Sequence, residues 1–217
     1  MKKHSMRIIF VSLLLIMQSV LWVGTAEAGE SVQDKVESME PVIKTYANCR
    51  GILYYGDDHM NVSCTVPGSE SFWDEIRIFS IFNSSASKGG NFTYSADEVI
   101  AAAYAMYSNF DGNLPEYPDY YYTGTGFATV DGNTVTFIPA TPELQRLDLM
   151  QYEENDDNSI DAVYLQVWES YEDDSSSNSY YISVHMVPNK HINNSDPKYY
   201  TIKSMKLDRT LMTGHGE

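Results

Sequence analysis

Apolar residues change their spacing near residue 112, and that change divides the chain into a helix-rich first half (31-112) and a strand-rich second (120-208). Val32, Val36, Met39, Ile43 and Tyr46 recur every three or four positions, which predicts helix between Ser31 and Tyr46, kinked or divided by Pro41. Ile52 to Tyr55 and Met60 to Val66 read as two strands around the acidic turn Gly56-Asp57-Asp58-His59. Phe72 to Phe82 fits both periods, and the helical one, through Phe72, Ile76, Phe79 and Phe82, is preferred. Asn83 to Asn91 is a loop rich in Ser and Gly. Ser95-Ala96-Asp97-Glu98 is then a capping box, in which hydroxyl and carboxylate each satisfy the other residue's amide. It predicts a helix from Val99 to Phe110 with Val99, Ala103, Met106 and Phe110 facing the core, stopped by Asp111-Gly112.

Beyond the proline-punctuated connector Leu114 to Pro118, strands are expected at Thr123 to Val130 and Asn133 to Ile138, joined as a hairpin through Asp131-Gly132. Further strands follow at Arg146 to Tyr152, Asp161 to Tyr171, Tyr180 to Val187 and Tyr199 to Leu207. Alternation places Val163, Leu165 and Val167 on one face and Tyr164 and Trp168 on the outward one. In the next strand Ile182, Val184 and Met186 share a face, with His185 opposite. Helices followed by neighbouring strands predict an α+β fold, with N-terminal helices packed on a mainly antiparallel β-meander sheet.

The leading residues have another pattern. Lys2, Lys3 and Arg7 precede an apolar run from Ile8 to Gly24, and Ala26 and Ala28 form an A-x-A site. These are the three regions of a secretory signal peptide, expected to be cut after Ala28. An uncleaved anchor is the rival reading, since the run approaches the length that spans a bilayer. No cysteine lies within reach to act as a lipobox, so a secreted or periplasmic product is expected, without stable membrane insertion after cleavage. Residues 29-217 are then one exported domain, long enough for its own core.

Charge narrows the partners. The formal net charge is -16, and loss of the leader removes three bases against one acid. Bases are sparse and scattered along the sequence, which excludes nucleic acid as the expected partner. At 43% hydrophobic residues with 17 Tyr, 8 Phe and 3 Trp, the chain is globular and not an acidic disordered tail. Cys49 and Cys64 are its two cysteines, and in an oxidising compartment they are expected to form a disulfide. Closing a loop of about 15 residues would contribute about 3 kcal/mol.

Candidate chemistry is thin. The acidic segment Glu153 to Asp161 lacks the glycine and the distal glutamate of an EF-hand, so it reads as an exposed turn and no metal or other cofactor is expected. His59, His185, His191 and His215 show no i, i+4 pair for zinc. There is no G-x-S-x-G, P-loop, dinucleotide fingerprint or H-E-x-x-H. The aromatic residues Tyr117, Tyr120, Tyr121, Tyr122, Tyr164 and Trp168 are candidate ligand-binding groups, because such rings stack on sugars or anchor proteins. Two functions remain as expectations. One is a non-enzymatic domain that binds a protein or cell-surface ligand through its sheet or its Tyr-rich connector. The other is an extracellular hydrolase that uses Asp or Glu side chains as acid and base.

Overall fold

A computed structural model describes residues 30-50, 59-83, 92-119, 128-138, 145-168, 179-192 and 198-208. The leader, the 52-55 strand and Tyr120, Tyr121 and Tyr122 lie outside these residues. The chain divides into Met1–Asp34 and Lys35–Glu217. In the first, Ser31 and Asp34 close on each other: the Ser31 amide donates to Asp34 Oδ2 at 3.0 Å, and the Asp34 amide donates to Ser31 Oγ at 3.1 Å.

Four helices are described: α1 (Val32–Glu37), α2 (Glu40–Cys49), α3 (Ser69–Asn83) and α4 (Ala96–Met106). The expected helix over 31-46 is thus two. Pro41 lies in the first turn of α2, where its missing amide costs no hydrogen bond and its fixed φ suits helix entry. Helix α3 takes the helical alternative for 72-82 and buries Phe72, Trp73, Ile76 and Phe79. The capping box opens α4 as expected, with the Ser95 amide donating to Glu98 Oε2 at 2.8 Å and the Glu98 amide to Ser95 Oγ at 3.3 Å. Such a cap contributes about 1 kcal/mol. The helix stops at Met106, one turn before the expected Phe110. Tyr107 is extended there, and the following amide, of Ser108, donates to the Cys64 carbonyl at 2.7 Å.

The eight described strands form two antiparallel sheets, so the fold is α+β with a mainly antiparallel architecture. The larger has the order β1-β8-β7-β6-β5, from β1 (His59–Val62), β5 (Gln145–Glu154), β6 (Ile160–Trp168), β7 (Ser179–Pro188) and β8 (Tyr200–Asp208). Strands β5 to β8 are the expected meander, but β1 pairs with β8 (Met60↔Leu207). The smaller sheet joins β2 (Phe92–Ser95) to the hairpin of β3 (Ala128–Asp131) and β4 (Thr134–Phe137). Sequence reading gave β2 no element. It also set the hairpin turn one residue early: Asp131 pairs with Thr134, and Gly132, at φ 58°, turns the chain with Asn133.

One face of the large sheet builds the core. Ile160, Ala162 and Tyr164 of β6 stand opposite Met186, Val184 and Ile182 of β7, and all six are buried. The face expected for β7 holds, whereas that of β6 is inverted. Tyr164, expected to point outward, is 1% exposed and its hydroxyl donates to the Val36 carbonyl at 3.1 Å. The reason is chemical ambiguity: β6 carries apolar side chains on both faces, and the choice falls to its register with β7.

Candidate functional site

The opposite face of the large sheet is open. Antiparallel strands bring Glu153, Asp161, His185 and Ser204 into one row across β5, β6, β7 and β8, and Gln151, Val163, Ser183, Lys206 and Asn61 into the next. Together they line a hollow of about 700 Å³. Its walls mix uncharged hydrogen-bonding groups with Glu153, Asp161 and Lys206, and they hold one ordered Asp–His pair. His185 Nδ1 lies 2.8 Å from Asp161 Oδ1, while Asn155 Nδ2 donates to Asp161 Oδ2 at 2.9 Å. Asn155 is placed by the tight β5–β6 turn, where its amide donates to the Ser159 carbonyl and Asn158 adopts φ 62°. Both partners, the Asn155 amide first and His185 second, hold the Asp161 carboxyl below the usual range.

Aspartate, histidine and serine in a row evoke acyl transfer, yet the relay is incomplete. No hydrogen bond joins Ser204 to His185 among the described residues, and His185 and Asp161 remain 38% and 57% exposed at their side chains. A nucleophile needs a base within hydrogen-bond reach and a site shielded from water. This row can orient a polar ligand instead: an anionic acceptor at Asp161, an imidazole, and hydroxyl and amide groups on either side.

A second constellation is buried where the end of α2 meets α3. Arg50 Nη2 donates to Glu75 Oε2 at 2.9 Å, and Arg50 Nε lies 2.5 Å from Glu75 Oε1. The Tyr107 hydroxyl also donates to Glu75 Oε2, at 2.8 Å. Burial raises the Glu75 carboxyl despite the downward pull of these two donors. Ser71, Asp74, Glu75 and Ile78, a stripe at helical spacing, line a hollow of about 380 Å³ with Cys49 and Arg77. Asp74 is raised too, chiefly by burial. Carboxylate acid–base chemistry needs two carboxyls able to exchange protons with a substrate. Here Glu75 is committed to Arg50 and Tyr107 through two hydrogen bonds to Oε2 and an ion-pair contact at Oε1.

Cys49 and Cys64 are free thiols, contrary to the expected disulfide. Cys64 is buried and directs its Sγ to the Val62 carbonyl at 3.6 Å. Burial pushes the Cys49 thiol up to about 12 and the Cys64 thiol up to about 11. At pH 8 the thiolate fraction of each is then about one in a thousand or less. The native protein is accordingly expected to react very slowly with a disulfide reagent, and to release two equivalents of thiol promptly once unfolded in guanidinium. Two fast-reacting equivalents in the native state would contradict this burial.

Of the aromatic candidates, Tyr117, Tyr164 and Trp168 fall within the described residues, and Tyr120, Tyr121 and Tyr122 outside them. Tyr117 stacks on Trp73 with ring centroids 4.2 Å apart, Tyr164 is in the core, and Trp168 ends β6. Among the described residues there is no group of three or more His, Cys, Asp or Glu side chains arranged to hold a metal, and no helix long and apolar enough to cross a membrane. Sequence reading missed the Asp161–His185 pair, although it assigned His185 to the face on which it lies. Comparison with family models, curated proteins and solved structures returned no match.

Proposed function

We propose that this chain is an exported, non-enzymatic binding domain, and that a cell-surface ligand rich in hydroxyl or amide groups lies across the open face of its large sheet. The observation that carries this reading is the Asp161–His185 pair, fixed by Asn155 inside a hollow whose other polar walls include Asn61, Gln151, Ser183 and Ser204 beside the charged Glu153 and Lys206. Ordered polar groups in a concave surface give orientation and specificity to a polar ligand without bond cleavage. Export rests on the basic, apolar and A-x-A regions of residues 1-28, and the released form is expected to begin at Gly29 when its N-terminus is sequenced.

Co-sedimentation with insoluble cell-wall polymer from the host tests the binding reading. The wild-type protein is expected to pellet with the polymer, and the Asp161→Ala/His185→Ala variant to bind about 5- to 30-fold more weakly, the effect of losing one or two good polar contacts. Circular dichroism should show the variant folded, because both side chains are exposed. Equal binding by the two proteins would remove the sheet face from consideration. Release of soluble fragments by the wild type would make the protein a catalyst and return the hydrolase reading.

A further inference from the structure

A third hollow, of about 520 Å³, lies beside the last turn of α4 and the turn after β7. Its wall is aromatic. The His191 ring lies flat on that of Tyr104, with centroids 3.7 Å apart and planes 6° from parallel, and Phe110 meets Tyr104 edge-on at 5.0 Å. The arrangement is held from behind at both ends. Asn189, 6% exposed, accepts the His191 amide at 2.9 Å and donates through Nδ2 to the Lys198 carbonyl, which fixes the turn carrying His191. On the other side Gly112, at φ +93°, leaves the room that the Tyr104 hydroxyl occupies; a Cβ there would stand 2.7 Å from that oxygen.

The rim is cationic. Lys190 and Lys203 both line the hollow, in a chain with 14 basic residues against 30 acidic ones. Asp157 is its acidic member, and its Oδ1 accepts from the Ser159 amide and hydroxyl at 3.0 and 2.6 Å, within its own turn. A flat ring wall in a hollow that two lysines also line matches a particular ligand chemistry. The rings offer stacking or C–H contacts to a planar or pyranose face, and the ammoniums attract an anion attached to that ring.

We infer that this hollow is a binding site for a small ring bearing a carboxylate, separate from the sheet face and independent of what binds there. Two sources could supply that chemistry: a free aromatic acid, or a uronic acid unit of an acidic glycan. Lys190 and Lys203 hold the carboxylate, while His191, backed by Tyr104, carries the ring.

Titration of the purified ¹⁵N-labelled full chain with benzoate and with D-glucuronate, followed through backbone amide shifts, tests the assignment. Benzamide and D-glucose serve as the uncharged counterparts. At least one acid is expected to shift the amides of Lys190 and His191 and to bind about tenfold or more tightly than its counterpart, as loss of a paired charge implies. Preference for benzoate would identify the aromatic acid as the source, and preference for glucuronate the glycan. The Lys190→Gln/Lys203→Gln variant, altered on the rim and not in the core, is expected to lose about tenfold in affinity for that acid. His191→Ala should weaken the acid and its neutral counterpart alike. The inference is overturned if neither acid shifts these amides at about 10 mM, a bound on millimolar affinity. It is also overturned if the neutral compounds bind as well, or if the lysine variant binds as the wild type does.

Discussion

Trp73→Ala is expected to cost about 3–5 kcal/mol, a large part of the stability of a domain of this size. The indole is fully buried, stacked on Tyr117 at 4.2 Å and met edge-on by Phe72 at 5.2 Å. Its Nε1 donates to the Glu116 carbonyl at 3.1 Å, with the Pro115 carbonyl at 3.3 Å. Truncation therefore opens a large void and leaves connector carbonyls without a donor they now share. Urea unfolding followed by circular dichroism measures the loss as a lower midpoint at similar slope. Trp73→Phe keeps much of the packing and should fall between the variant and the wild type. A midpoint unchanged in Trp73→Ala would mean that the connector does not seal this side of α3.

Glu75→Ala is expected to be of similar severity, about 3–5 kcal/mol, for a different reason. The carboxylate is 3% exposed and answers two donors, the Arg50 guanidinium and the Tyr107 hydroxyl. Removing it leaves the buried Tyr107 hydroxyl without an acceptor and the largely buried Arg50 guanidinium with the Thr65 carbonyl but no counter-charge in contact, and that loss of compensation dominates the cost. Replacing both members, as Arg50→Met/Glu75→Leu, removes the stranded charge and is expected to recover much of the loss. The comparison is read from urea midpoints of the three proteins. If the double variant is no more stable than Glu75→Ala, the penalty comes from lost packing and the ionic account fails.

These two residues show where sequence reading succeeds and where it stops. The helical period through Phe72, Ile76 and Phe79 is written in local spacing, so α3 and its core face are legible, as are Pro41 at the start of α2 and the capping box at Ser95. The polar stripe Ser71, Asp74, Glu75 could have been read from the same helical wheel. That Glu75 is buried could not, because its partners come from residues 50 and 107. The Asp161–His185 pair depends on the β6–β7 register across a ten-residue connection, 169-178, which no local pattern fixes. Tyr164 failed for a related reason: Val163 and Leu165 offer an equally apolar alternative, so spacing without register cannot say which face turns inward. Disulfide formation was inferred from cysteine count and compartment, which carry no information on distance; the two thiols are free, and each is largely buried in its own surroundings.

Strand β5 closes the order of the large sheet, and among the described residues no further strand pairs with it. Among those residues its outer backbone is thus a template to which another extended segment could add. Two features blunt it: the irregularity between Leu149 and Gln151 breaks the ladder midway, and Arg146, Asp148, Glu153 and Glu154 set charges along its length. High protein concentration favours stacking of such rims into fibrils, and the charges and the broken ladder oppose it. Neutralising those four side chains would therefore leave the interior intact while making the protein prone to self-assembly at high concentration.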